Sequence, residues 1–199
     1  MRKPAFYLVN ALTVYRLIAS PVLIFFVFND NVTLFKWLLP FSFFTDAVDG
    51  LLARKFKVTS VFGSKLDSIA DDLTILAAII AAFVLKLDFI LSNLLLVAIL
   101  LLLFLFQNTY ALIKYHKLSS FHTYLAKAAA VLQGLFLIFL FLLPQPLYWL
   151  FYTAAIVTIL DLVEEILLVK ILPTWEINVK GLYWVYNRKK KTNRHINIL

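Results

Sequence analysis

Cysteine is absent from this chain of 199 residues. That excludes a disulfide framework, a thiolate metal site and a cysteine nucleophile. Histidine occurs three times, at His116, His122 and His195, too few for a zinc centre to be expected. Charged residues make up only 15% of the chain, against 63% hydrophobic, whereas soluble domains are about 45–50% apolar. Mean hydropathy is +0.90, and the run from Phe89 to Phe106 has the length and polarity of a membrane span, which needs roughly 20 apolar residues. A soluble domain is thereby excluded, and an integral membrane protein is expected. The first residues do not read as a signal peptide, because Arg16 interrupts the apolar run and no small-residue cleavage site follows.

What charge there is lies unevenly. Lys55 and Lys57, then Lys114 and Lys117, then Arg188 to Lys191 mark alternate connections, and the formal net charge is +8. The intervening connections around Asp30, Lys86–Asp88 and Pro144–Pro146 are poor in lysine and arginine. Positively charged loops stay on the cytoplasmic side, so both termini and residues 46–71 are expected there, most naturally at a bacterial inner membrane. The basic tail, about 186–199, reads as a topology signal attracted to anionic lipid and not as a nucleic-acid binder. The pattern predicts an all-α single domain over 1–199. A short interfacial helix (4–9) precedes six transmembrane helices at 12–28, 33–53, 62–85, 89–115, 124–143 and 147–172. The nineteen phenylalanines are expected to face lipid and pack the helices.

Against that background four aspartates stand out: Asp46, Asp49, Asp67 and Asp71. Ionisable groups inside membrane segments are costly and mark function by default. Asp46 and Asp49 share one helical face, with Gly50 and Ala53 beside them. Gly63, Asp67 and Asp71 form a second stripe at steps of four, and the eight residues KFKVTSVF allow the two helices to return antiparallel. Packed together, the stripes bring four carboxylates to one point, where mutual repulsion calls for divalent cations. An all-oxygen set suits Mg²⁺, Mn²⁺ or Ca²⁺. Two metals close together are a known arrangement for displacement at phosphorus. Arg54 is suited to gripping a phosphate bidentately, and Asp71 to acting as general base.

The pattern Asp46-x2-Asp49-Gly50-x2-Ala53-Arg54-x8-Gly63-x3-Asp67-x3-Asp71 resembles in full the signature of the CDP-alcohol phosphotransferases (CDP-alcohol phosphatidyltransferases). The likeness extends to Asn10-x2-Thr13-x2-Arg16-x4-Pro21. It implies a homodimeric six-helix membrane enzyme that moves a substituted phosphoryl group from a CDP-linked donor to an alcohol and releases CMP. By this resemblance Asp46, Asp49, Asp67 and Asp71 hold two divalent cations, Mg²⁺ or Mn²⁺, and Asp71 accepts the proton. Gly50, Ala53, Arg54 and Gly63 hold the cytidine diphosphate, Ser60 contacts a phosphate, and Thr13 and Arg16 lie near the donor.

Relatives that use glycerol 3-phosphate carry Gly-Lys-x-Lys-Thr at the start of the fifth span, with a glutamine three positions on. Here that stretch reads Ala126-Lys127-Ala128-Ala129-Ala130, followed by Gln133. The first lysine and the glutamine survive, but the second lysine and the threonine do not. Asp161, Glu164 and Glu165 in the sixth span are the other acceptor candidates, with pairing to Lys127 or Lys170 as the structural alternative. The expected reaction is transfer of a phosphatidyl group from CDP-diacylglycerol. The acceptor is glycerol 3-phosphate, a phosphatidylglycerol as in cardiolipin synthesis, or an inositol. A divalent-cation transporter is the alternative of a different class, and Arg54 argues against it.

Overall fold

The computed structural model describes residues 2–56, 61–117, 121, 123–176 and 179–188, with backbone alone at 2–6, 54, 61, 62, 64, 65 and 68. Among the described residues the main α-helices, in order, are α1 (Arg2–Phe28), α2 (Val32–Phe56), α3 (Val61–Leu85), α4 (Leu87–Ser92), α5 (Leu94–Tyr115), α6 (Tyr124–Leu142) and α7 (Tyr148–Ile171). A short helix, α8, covers 182–188. Contacts group the chain into two compact units, 1–92 with 137–146, and 93–136 with 147–199.

The first unit is built on α1 packed against α2 and α3. Its buried positions recur at steps of three and four along each helix, which is what one helical face requires. On α1 they are Thr13, Arg16, Ala19, Ser20, Leu23 and Val27, and on α2 Phe35, Leu39, Ser42, Thr45 and Asp49. On α3 they are Ala70, Thr74, Ala77, Ala78 and Ala81, a stripe of small residues that lets α1 approach closely. One end of the bundle is thus apolar and the other polar. Midway, the Ser20 and Thr74 hydroxyls meet at 3.1 Å, linking α1 to α3 one turn from Arg16 and Asp71. The α1–α2 reversal is tight: Asp30 sits in the left-handed region (φ 55°), and the Asn31 N–H donates to the Phe26 carbonyl at 3.0 Å.

In the second unit α5 packs on α7. Ala111, Phe121, Leu168, Val169, Leu172, Val179 and Val185 make its buried cluster. The Lys114 ammonium donates to the Val169 and Leu172 carbonyls at 2.7 and 2.8 Å. It thereby satisfies the exposed end of α7 and complements its dipole. Segment 179–188 folds back on α7, where the Glu164 carboxylate accepts the Leu182 N–H at 2.9 Å and caps the start of α8.

The all-α, membrane-associated reading holds, but the six expected spans do not all meet the requirements for crossing. Among the described residues three helical stretches are long and apolar enough: Tyr7–Phe28, Leu94–Tyr115 and Tyr124–Leu142. The expected second, third and sixth spans form as helices α2, α3 and α7. On α2 and α7 three charged residues dilute the apolar character, Lys36, Asp46 and Asp49 in the one and Asp161, Glu164 and Glu165 in the other. The interfacial helix expected at 4–9 is no separate element, because α1 runs unbroken from Arg2 through Pro21. The expected span 89–115 is interrupted at Asn93, whose side-chain oxygen accepts the Tyr152 hydroxyl at 3.2 Å. The connector between α2 and α3 is shorter than expected: Lys55, Phe56, Val61 and Phe62 are helical, leaving 57–60, outside the described residues.

Gly181 adopts φ +148°, and a Cβ there would lie 3.0 Å from Glu164 Oε1, the atom that caps α8. Gly181→Ala is therefore expected to destabilise the second unit by about 1–3 kcal/mol, read as a lower Tm in detergent. An unchanged Tm would show that Glu164 does not clamp this segment.

Candidate functional site

The polar end of the first unit is organised by one side chain. Arg16, only 1% exposed, projects from α1 between α2 and α3 and reaches all four aspartates. Nη1 bridges Asp46, at 2.7 Å, and Asp71; Nη2 bridges Asp49, at 2.7 Å, and Asp67. The planar guanidinium suits this task, since its donors diverge in a fixed fork. The same helical spacing that puts Asp46 and Asp49 on one face of α2, and Asp67 and Asp71 on one face of α3, gives each nitrogen a carboxylate from both helices.

The carboxylates are not equivalent. Asp49 is 1% exposed, whereas Asp46, Asp67 and Asp71 are 42%, 36% and 37% exposed. The Asp49 Oδ2 is paired to Arg16, but its Oδ1 is buried with no hydrogen-bond partner, as is the Arg16 Nε. Unsatisfied buried oxygens are uncommon and call for a ligand or strain as their reason. Asp46, Asp49 and Asp67 each direct one carboxylate oxygen into a group lying within 4.8 Å. Three hard oxygen donors at that separation fit a divalent cation of the Mg²⁺ or Mn²⁺ type. Asp71 stands outside this triad but shares Arg16 Nη1 with Asp46.

Gly50, Ala53 and Gly63 are half-buried on α2 and α3. Thr13 is buried on α1, with its hydroxyl donating to the Val9 carbonyl at 3.2 Å. The Arg54 side chain, Ser60, His122, His195 and tail residues 189–199 lie outside the described residues. Asp72 is exposed, away from the array. What sequence reasoning missed is that Arg16 is the hub of the aspartates. The signal was available: Arg16 is the sole charged residue in the stretch Tyr7–Phe28, and a lone cation there must find anions.

With this geometry in view, the comparison with known proteins is decisive at one level. The CDP-alcohol phosphatidyltransferase family model matches residues 6–160. The chain belongs to that family. The match runs through residues of both compact units. A cardiolipin synthase (CMP-forming)/mitochondrial hydrolase fusion protein of Schizosaccharomyces pombe is 37% identical over 71 residues, 36% of this chain and 12% of its own. A CDP-diacylglycerol–inositol 3-phosphatidyltransferase of Saccharomyces cerevisiae is 38% identical over 65 residues, 33% of this chain and 29% of its own. A probable CDP-diacylglycerol–inositol 3-phosphatidyltransferase 2 of Arabidopsis thaliana is 53% identical over 47 residues, 24% of this chain and 21% of its own. The chain thus spans less than a third of the length of these curated relatives. No solved structure matches it.

The acceptor candidates belong to the second unit, where each has a local partner. Gln133 donates to the Thr158 hydroxyl at 2.7 Å, and the Lys127 ammonium lies 5.7 Å from the centre of the Tyr124 ring. Asp161 accepts from the Thr123 hydroxyl at 3.5 Å, and Glu165 from the Gln107 amide at 2.6 Å. Glu164 takes up a backbone N–H of α8, not an ion pair with Lys127 or Lys170.

With all four carboxylates ionised, one guanidinium leaves the array at a formal charge of minus three. Asp46→Asn removes one negative charge and keeps the side-chain shape. In the presence of chelator it is expected to raise Tm by about 2–4 °C, the scale of 1 kcal/mol in a chain of this length, while weakening Mn²⁺ binding. A lower Tm in chelator would show that repulsion within the array is not a stability cost.

Proposed function

We propose that this protein transfers a phosphatidyl group from CDP-diacylglycerol to an alcohol and releases CMP, with two divalent cations, Mg²⁺ or Mn²⁺, held by the aspartate array. The observation that carries this reading is the convergence of Asp46, Asp49 and Asp67 oxygens within 4.8 Å, with Asp71 beside them but outside the triad. Asp71 would complete the metal set on its triad-facing side and take the proton from the acceptor hydroxyl. The hydroxyl oxygen then forms its bond to the phosphatidyl phosphorus as the bond from that phosphorus to the CMP oxygen breaks. Cations bound here would neutralise phosphate charge and make CMP a better leaving group. Gly50, Ala53 and Gly63 present small surfaces on α2 and α3 against which a nucleotide diphosphate can lie. Arg54 and Ser60 supply donors to its phosphates, and Thr13 and Arg16 line the same side from α1.

For the acceptor we favour a hydroxyl that carries no terminal phosphate, an inositol before a phosphatidylglycerol and glycerol 3-phosphate last. Ala129 and Ala130 stand where the cation and hydroxyl that a phosphomonoester would use are expected. Lys127 rests against Tyr124, and Gln133 is engaged by Thr158. The two inositol phosphatidyltransferases among the relatives support the same order. Lys127, Gln133, Asp161, Glu164 and Glu165 stay the residues through which an acceptor would be bound. The reading includes a homodimer at a bacterial inner membrane, with the array and both termini facing the cytoplasm, as the lysine- and arginine-rich connections favour. A cation transporter is disfavoured, because Arg16 would block the path with a fixed positive charge.

Two measurements test this. CMP release from CDP-diacylglycerol with Mg²⁺ or Mn²⁺ is expected with inositol above phosphatidylglycerol and glycerol 3-phosphate. Glycerol 3-phosphate as the best substrate would overturn the acceptor order, and no CMP with any alcohol would overturn the donor. Asp71→Asn is expected to cut turnover by about 10²–10⁴-fold while CDP binding persists. Loss of CDP binding instead would reduce Asp71 to metal retention alone.

A further inference from the structure

Arg16 makes four ion pairs with the very carboxylates that a divalent cation would use. Oxygens of Asp46, Asp49 and Asp67 gather within 4.8 Å, and all three residues are also bound to the guanidinium. Two positive groups cannot share that space without repulsion, which in a buried site is screened little. Charge balance says the same. One guanidinium leaves the array at minus three, whereas two divalent cations alone would neutralise its four carboxylates. Asp49 shows where the exchange begins: one oxygen is held by Arg16, and the other is buried and without a partner, ready to accept an ion while the first contact persists.

We propose that Arg16 is a positioning residue that competes with the metal, a built-in cation that holds the four carboxylates of α2 and α3 together and yields them as divalent ions bind. The proposal rests on the metal reading given above. Its consequence is an affinity lower than the bare array would have: binding is reduced by the fraction of molecules in which the carboxylates are released. The gain is a site kept assembled at low metal concentration, because the guanidinium offsets repulsion that would otherwise drive α2 and α3 apart. Ser20 and Thr74, which tie α1 to α3 beside Arg16, hold the backbone from which the side chain must swing.

The test is direct Mn²⁺ binding to the purified full-length protein in detergent, read by the electron paramagnetic resonance of free Mn²⁺, together with Tm in chelator and in saturating Mn²⁺. Arg16→Gln is expected to bind Mn²⁺ roughly tenfold more tightly than wild type, to melt lower in chelator, and to gain more Tm from Mn²⁺. Arg16→Lys keeps the charge but cannot span two carboxylates with each nitrogen, and is expected to fall between the two. A purely structural role for Arg16 would lower Tm in chelator without tightening Mn²⁺ binding, so equal or weaker binding by Arg16→Gln overturns the proposal. If Arg16→Gln does not yield folded protein, Arg16→Lys decides, and a Kd at or above that of wild type overturns it equally. No Mn²⁺ binding by wild type or either variant would overturn the metal reading beneath the proposal, and the proposal with it.

Discussion

A single buried guanidinium facing four carboxylates is the constraint on which the first unit of this protein depends. Burying one charge in an apolar bundle is costly, and breaking a buried pair by removing one partner costs several kcal/mol. Arg16 therefore dictates that α1 lie between two acidic stripes, and the stripes dictate which faces of α2 and α3 turn inward. The small residues Ala70, Ala77, Ala78 and Ala81 are the packing counterpart, since a bulkier stripe on α3 would hold α1 away. Polar and apolar ends of the same interface thus serve one purpose, the close approach that lets a single side chain reach four acids.

The second unit solves a different problem with similar means. Its charged side chains are spent on helix ends: Lys114 on the carbonyls closing α7, Glu164 on the N–H opening α8. The bidentate Arg188–Glu176 pair, at 2.9 Å, ties α8 to the segment after α7. Acidic residues in an apolar helix invite a catalytic reading, yet here Glu164 has a conformational task that follows from the sharp backbone at Gly181.

How far the sequence told this story depends on range. The aspartate stripes were legible because steps of three and four residues define a helical face whatever the tertiary structure. The family likeness rested on that same local pattern, and the match over 6–160 agrees with it. Arg16 reads in the sequence as a lone cation in need of anions, but which anions it finds is not legible locally, because they lie 30 to 55 residues away. The contact of Glu164 with the start of α8 is hidden for the same reason, as its partner is 18 residues downstream. The break at Asn93 was hidden within an apolar run whose hydropathy does not register one polar residue held by Tyr152. The count of spans departs from six partly through charge, since Lys36, Asp46 and Asp49 on α2 and Asp161, Glu164 and Glu165 on α7 make those helices poor membrane crossers by composition.

The division of the array between helices also has a consequence for how the protein is made. The cation is on α1 and every anion on α2 or α3, so α1 leaves the ribosome first, with a guanidinium that has no counter-charge. An arginine at the centre of a lone span costs roughly 2.5–3.5 kcal/mol on insertion. The first helix is apolar enough to enter the bilayer all the same, and carries that cost until α2 and α3 follow. Arrival of α2 and α3 thus assembles the array and relieves the buried charge of α1 in the same event.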